Sequence, residues 1–221
     1  MPHDARPWYY ALTLLAGSVA VAIGGAQHPL LAGDGPMQLT TIATTPAWRA
    51  AHWFFAAGYV AVVAGLAGLA GGHAGRSGEP AARVGAITSA FGYAVSLIGI
   101  VFMLGAAATL ADTYTRGAPG LAATHAVFTY DMLHPSAQAA VRIGAAAIAL
   151  GLIAFGWATV RGGVLPRWLG WPGVAAGIAG IAASVLAAPD APLLVAGVGL
   201  ATLWQACAAV VLLVSGRRAA V

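Results

Sequence analysis

Six apolar segments, separated by short polar stretches, make up most of the chain. They cover residues 8–26, 47–71, 84–111, 135–160, 168–188 and 191–215, and each is close to the about 20 residues that a helix needs to cross a bilayer. Backbone groups inside a membrane must be hydrogen-bonded within the protein, and these segments are too long and too continuous for barrel strands. The pattern predicts an all-α polytopic membrane bundle of six transmembrane helices, in a single domain over residues 1–221.

Composition agrees with this assignment and excludes other classes of protein. Hydrophobic residues make up 60% of the 221 residues and charged residues only 7%, whereas a soluble domain carries about 25% charged residues. The ten basic residues are all arginine, and most of them lie singly or in pairs between the apolar segments. A nucleic-acid partner is therefore not expected, and the lipid bilayer is the expected surrounding of the protein. Cys207 is the only cysteine, so an intramolecular disulfide is excluded.

The arginines predict how the protein is oriented. If the six segments alternate in direction, seven of the ten arginines fall on one side and three on the other. The positive-inside rule then places both termini in the cytoplasm, and the Ala- and Gly-rich composition, which resembles that of many small bacterial membrane proteins, favours the inner (plasma) membrane. The larger group is Arg6, Arg76, Arg83, Arg161, Arg167, Arg217 and Arg218, and the smaller is Arg49, Arg116 and Arg142.

The first segment and the two outer connections carry further signals. Residues 8–26 follow Arg6 and end in small residues before Gln27, so a cleaved signal peptide is an alternative to a retained first helix. Residues 29–45 form an outer loop in which Gly33-Asp34-Gly35-Pro36 predicts a turn. Between Asp112 and His134 the chain is again outside, and residues 122–132 predict a short interfacial helix ahead of the fourth span.

Polar residues continue into the start of the fourth span. His134, Gln138 and Arg142 are spaced i, i+4, i+8, so they share one face of a helix. An arginine within a span is costly and usually faces a partner or a cavity. We expect Asp112 or Asp131 to be that partner.

Most histidines and aspartates fall on the predicted outer side. His52, His125, Asp131 and His134 carry ligand groups suited to zinc, copper, manganese or non-haem iron, although their spacing matches no known metal motif. A second interpretation makes His52 an axial ligand of haem b, with His28, His125 or His134 opposite and Arg49 or Arg142 near the propionates. The alternative is that these residues cap helices, contact neighbouring helices or face water. The other residues on the outer side are His28, Asp34, Asp112 and Asp190.

These observations predict an extracytoplasmic-side His/Asp/Arg site that binds a metal ion, haem or a quinone-like ligand and is redox-linked. Two alternatives stay open. Gly173, Gly177 and Gly180 give a small-residue face suited to a membrane-protein partner, which favours a non-catalytic subunit of a larger complex, and a line through Ser89, Tyr93 and Ser96 to Arg142 favours a small transporter. Common hydrolase motifs are missing, so the sequence leaves enzymatic activity open. The expected ligand-binding residues are His28, Arg49, Tyr59, Tyr93, Asp112, Gln138 and Arg142.

Overall fold

A computed structural model of the protein describes residues 7–117, 120–187 and 192–218. Arg6 and Asp190 lie outside these ranges. The described chain is almost entirely helical: α1 Pro7–Gln27, α2 Gly35–Thr44, α3 Trp48–Gly71, α4 Glu79–Phe102, a π-helical turn Met103–Ala107, α5 Ala108–Arg116, α6 Leu121–Gly162, a 3₁₀ turn Arg167–Leu169, α7 Gly170–Leu186 and α8 Pro192–Arg218.

The predicted six-helix membrane bundle is confirmed. Within the described ranges, six helical segments are long and apolar enough to cross a membrane, and they alternate in direction. Residues 7 and 218 therefore lie at the same end of the bundle. We call the other end, where α2 lies, the α2 end; its assignment to the extracytoplasmic side stays a prediction. The six segments are Trp8–Gln27, Trp48–Gly71, Glu79–Arg116, Leu121–Gly162, Arg167–Leu186 and Leu193–Ser215.

Helices α4 and α6 pack through small residues that recur every seven positions. A Cβ added to Gly92 would lie 2.6 Å from the carbonyl oxygen of Gly144, and one added to Gly85 would lie 3.0 Å from that of Gly151. The two backbones therefore touch, as small residues allow in membrane helix pairs, and the seven-residue period keeps one seam in contact. The facing pairs, in antiparallel order, are Gly78 with Ala158, Gly85 with Gly151, Gly92 with Gly144, and Gly99 with Ala137.

The same rule builds two further helix pairs. Gly17 and Gly24 of α1 face Gly58 and Ala51 of α3. Helix α6 meets α7 through pairs at the same spacing, Gly156 with Gly170 and Ala149 with Gly177. Small residues are thus the inner seams of this bundle.

The glycines predicted to receive a partner protein are used inside the chain. Gly173 packs against Trp204 of α8, while Gly177 and Gly180 pack against α6 at Ala149. All three are buried. This face is therefore covered by the protein itself, and the predicted partner interaction draws no support from it.

The prediction of a separate interfacial helix at 122–132 is wrong. Helix α6 runs without a break from Leu121 to Gly162, with Pro135 inside it. A proline leaves the carbonyl four residues earlier, here that of Asp131, without its helical donor. Asp131 and Pro135 are both exposed, and the helix continues through the proline to Gly162. Its 42 residues span about 63 Å, about twice the thickness of a bilayer core.

The predicted outer loop at 29–45 contains a helix. Asp34, assigned to a turn, is the N-cap of α2 and accepts a hydrogen bond from the backbone N–H of Met37 at 3.1 Å. Pro36 occupies the first turn of α2, where no donor is needed. Turns and helix starts both favour aspartate, glycine and proline, and in this protein these residues start a helix.

Helix α2, helix α5 and residues 121–134 of α6 form a small helical layer at the α2 end, which we call the cap. Its core contains Leu39, Ile42, Ala111 and Tyr130 together with Trp48 from the start of α3. Within this core the hydroxyl of Tyr130 donates to Oε1 of Gln38 at 2.8 Å. The cap therefore has its own apolar centre and covers the end of the membrane bundle.

Candidate functional site: a cavity beneath the cap

A cavity of about 530 Å³ lies inside the half of the bundle nearest the cap. This volume is within the about 300–1,000 Å³ typical of small-molecule sites. Its walls come from α1, α3, α4, α6 and α8, and Leu31 closes it beneath the cap. Val19 of α1 and Leu203 of α8 line it while remaining 48% and 61% exposed. Exposed residues of α1 and α8 therefore border the cavity, and this lateral side is the one that is accessible from the surface facing lipid.

The lining is mostly apolar, and Ser18, Tyr59 and Thr202 are the hydroxyl-bearing residues of its deeper part. On α8 it runs from Leu194 to Ala206, about 18 Å at 1.5 Å of rise per residue. Its nitrogen-bearing side chains are His28, His52 and Gln138, all near the cap. No arginine, aspartate or glutamate of the described ranges lines the cavity.

His28 and His52 form one aromatic cluster with Trp48. The two imidazole centroids are 4.9 Å apart and meet edge to face, and the centroid of Trp48 is 4.4 Å from that of His52 and 4.9 Å from that of His28. Phe55 flanks both histidines at about 6 Å. His28 lies directly after α1, and His52 lies one turn into α3. The antiparallel seam between α1 and α3 brings these two chain positions together.

The hydrogen bond of His52 fixes its tautomer. Nδ1 lies 2.7 Å from the carbonyl oxygen of Trp48. A carbonyl only accepts, so in the neutral ring Nδ1 must carry the proton and Nε2 must carry the lone pair. His52 is 1% exposed and lines the cavity. The chemistry that it offers there is that of an acceptor.

Trp48 is held by the π-helical turn. Its Nε1 donates to the carbonyl oxygen of Met103 at 3.0 Å, from one span to another. A π turn leaves carbonyls outside the regular helical pattern and is frequent at functional sites. Met103 also lines the cavity. The turn therefore fixes the tryptophan that supports both histidines.

His28 lies just outside the first span and is half-buried. Burial lowers the pKa of its imidazole below the usual value, against the opposing effect of a hydrogen bond with the backbone at Pro29. His28 is therefore neutral at pH 7. The polar end of the cavity carries no full charge from this residue.

The wall on α6 joins the cavity to the cap. The amide nitrogen of Gln138 lies 3.0 Å from Nε2 of His134, and His134 stacks on Tyr130 with ring centroids 4.7 Å apart. His134 is buried but is not a lining residue. The structure thus places Gln138 at the cavity and His134 behind it.

Tyr59 and Tyr93 lie deeper in the bundle. Tyr59 lines the cavity, and its ring centroid is 4.9 Å from that of Tyr93. The hydroxyl of Tyr93 is hydrogen-bonded to the amide of Gln205 at about 3 Å. Tyr93 is therefore a second layer behind Tyr59. Ser89 and Ser96, expected with Tyr93 on a transport path, pack against Gly151 and Gly144 within the α4–α6 seam.

The arginines expected at the site lie elsewhere. Arg142 donates to the carbonyl oxygen of Ala187 at the end of α7, which corrects the expected pairing with Asp112 or Asp131. Asp112 instead pairs with Arg116 at 3.3 Å and with Arg49 at 3.7 Å, on the exposed surface of the cap. Cationic side chains near the end of a helix favourably meet its unpaired carbonyls. Arg142 thus ties α6 to α7.

The residues predicted to hold a metal are not brought together. His52 lies at the cavity, His134 lies behind Gln138, His125 is exposed, and Asp131 contacts Gly35 at the start of α2. Across the three described ranges, no group of three or more His, Cys, Asp or Glu side chains is placed to hold a metal ion. His28 and His52 touch each other, so they do not fit opposite faces of a haem iron. The structure supports neither predicted cofactor.

Several lining residues were beyond sequence reasoning. Leu194, Val198 and Thr202 of α8 form one wall, and nothing in their residue types separates them from lipid-facing positions. Met103 is likewise an ordinary apolar residue in the sequence. Phe55, by contrast, carries a readable signal, since it lies one turn after His52 on the same helix.

Comparison with protein families identifies the chain. A family model described as "Domain of unknown function (DUF4386)" matches residues 8–216 and thus covers all six spans. The chain belongs to this family. No curated protein and no solved structure matches it.

Proposed function

We propose that this DUF4386 protein binds a small apolar molecule, of the quinone-like or single-chain lipid kind, that enters the cavity from the membrane. The observation that carries the proposal is the cavity itself: about 530 Å³, bordered by exposed residues of α1 and α8, with mostly apolar walls and with His28 and His52 at one end. Such a combination of apolar surface with few convergent polar groups is typical of small-molecule sites.

The shape of the cavity favours an elongated ligand. A volume of about 530 Å³ over about 18 Å of length gives a mean cross-section of about 30 Å², which is room for one hydrocarbon chain with a compact head. The nitrogen-bearing side chains of the lining lie near the cap, whereas Ser18 and Thr202, deeper in the bundle, donate their hydroxyls to carbonyls of their own helices. The head therefore belongs near the cap, and the tail runs along α8 toward Ala206. The lateral side bordered by α1 and α8 gives a lipid-dissolved ligand direct access.

The test fills the cavity without disturbing the fold. Gly199 lines the cavity on α8, and a Cβ added there meets no other atom within 4 Å. Gly199→Phe should occupy the space. Gly71→Phe is the matched control, because Gly71 also has open space around it but lies outside the cavity.

Lipid extracts of the purified wild-type protein are compared by mass spectrometry with extracts of the two variants. We expect one class of apolar molecule to be enriched over bulk membrane lipid in the wild type and in Gly71→Phe, and to be lost in Gly199→Phe. Extracts that match bulk lipid in all three proteins, or enrichment that survives Gly199→Phe, would contradict the proposal.

A further inference from the structure

The polar end of the cavity also specifies what kind of head group it accepts. This step rests on the proposed function, since it concerns the same cavity. His52 lines the cavity with Nδ1 committed to the carbonyl oxygen of Trp48 at 2.7 Å. Only Nε2 is left to meet a ligand, and in the neutral ring it can only accept a hydrogen bond.

The rest of the wall does not supply charge. Within the described ranges, the lining residues include neither arginine nor lysine, and Arg142 and Arg49 are engaged outside the cavity with the carbonyl of Ala187 and with Asp112. Taking a carboxylate or phosphate out of water without a cation is costly. A neutral head is therefore favoured over an anionic one.

The position of the acceptor is fixed from two sides. Trp48 supplies the carbonyl that holds His52, and its own indole is anchored to Met103 of the π turn at 3.0 Å. The ring of His28 packs edge to face against that of His52. An imidazole held this way keeps its tautomer, because turning the ring over would leave the proton of Nδ1 without its acceptor.

We propose that the cavity selects neutral ligands whose head carries a hydroxyl group, and that this hydroxyl donates its hydrogen bond to Nε2 of His52. The class includes long-chain alcohols and the reduced, quinol form of a quinone-like molecule. A head with only ether or carbonyl oxygens would bring a lone pair against the lone pair of Nε2. His52 is thus a residue that determines specificity.

The test compares three ligands of equal chain length: 1-tetradecanol, its methyl ether and tetradecanoate. Binding to the full-length purified protein is followed by native mass spectrometry over a range of ligand ratios at pH 7.5. We expect the alcohol to bind about five- to tenfold more tightly than the ether, as one hydrogen bond allows, and tetradecanoate to bind more weakly than the alcohol. Equal affinities for alcohol and ether, or tightest binding of the carboxylate, would overturn the inference.

Two histidine variants test whether His52 causes the preference for the alcohol over the ether. His52→Phe keeps an aromatic ring and removes the acceptor, so the alcohol should fall to the affinity of the ether while the ether is unchanged. His73→Phe is the matched control, because His73, two residues after the end of α3, also bonds the carbonyl four residues earlier, at 2.9 Å, and lies outside the cavity. Discrimination that persists in His52→Phe would contradict the assignment to this residue.

The outcomes separate the two proposals. If alcohol and ether bind equally and Gly199→Phe abolishes both, the cavity binds apolar molecules and the hydroxyl inference alone fails. If neither ligand binds the wild-type protein, both proposals fail. The wild-type alcohol-to-ether ratio decides the inference even if His52→Phe does not fold.

Discussion

A buried histidine lies near each end of α3, His52 one turn inside its start and His73 two residues after its end, and the two have opposite surroundings. His52 and His73 each place Nδ1 against the carbonyl oxygen four residues earlier, at 2.7 and 2.9 Å. Beyond the ring of His52 lies the cavity. Beyond the ring of His73 lies the backbone of Gly163, and the buried Nε2 of His73 has no hydrogen-bond partner among the residues that the structure describes.

In both histidines the hydrogen bond to the carbonyl four residues earlier sets the tautomer. The packing around the ring then decides whether Nε2 can meet a ligand. Both histidines present an acceptor nitrogen for the same reason. Only at His52 is there room for a donor to reach it. The same motif is thus a candidate ligand contact at the α2 end and a closed packing element at the other end.

The largest loss of stability is expected from a substitution at the end of α3 near His73, which we call the closed end. In Gly163→Ala the new methyl group would collide with Nε2 of His73, and overpacking of this kind costs about 1–3 kcal/mol. Gly199→Ala, at the wall of the cavity, meets open space and should leave stability unchanged or slightly raised, since alanine favours the helix. Denaturation in a mild detergent measures both. A Gly163→Ala protein as stable as Gly199→Ala would show that the packing at His73 is loose.

Lowering the pH should also destabilise the closed end. Burial lowers the pKa of His73 below its unfolded value of 6.5, the nearby charge of Arg76 lowers it further, and the hydrogen bond to Leu69 opposes both. The unfolded chain therefore binds more protons as the pH falls below 6.5, so folding stability is lost toward acid, by at most about 1.4 kcal/mol per pH unit for one histidine.

Melting curves at pH 7.5 and pH 5 check this expectation. His73→Phe should flatten the dependence, leaving the contribution of His28, whose pKa is lowered in the same direction. A pH dependence that is the same in His73→Phe as in the wild type would remove His73 as its source.

A smaller loss of stability is expected at the other end of α3, near His52 and the cavity. Trp48→Phe keeps the ring packing against His52 but removes the donor to Met103 at 3.0 Å, a loss of about 1 kcal/mol. Trp53→Phe, on the same helix and 66% exposed, is the control and should melt like the wild type. Equal stability of the two variants would mean that the π turn does not depend on the indole.

The sequence predicted the spans well because each is set by local hydrophobicity. The predicted second segment, 47–71, differs by one residue from the structural one, Trp48–Gly71. The predictions were wrong where the same residue types are compatible with two different structures. Asp34 and Pro36 begin a helix rather than a turn, and Pro135 lies at an exposed position within α6 instead of marking the start of a helix.

The candidate site was predicted only in part. His28, His52, Tyr59 and Gln138 do line one cavity, whereas Arg142 turns to α7 and Asp112 to the surface of the cap. Side chains on one helix face diverge once neighbouring helices are placed, and the sequence does not say which neighbour each meets. The seven-residue spacing of small residues is present in the sequence and matches the pairing of α4 with α6, but it becomes visible only when two segments are compared with each other.

The seven-residue spacing of small residues means that the number of residues in α6 cannot change without loss of helix contacts. Helix α6 meets α4 through Ala137, Gly144 and Gly151 on one side and α7 through Ala149 and Gly156 on another. Inserting or deleting one residue near Gly144 would rotate everything beyond it by about 100° and misalign both seams at once. Length differences among members of this family are therefore expected in the connections and in the cap, while the stretch between residues 137 and 158 keeps its count.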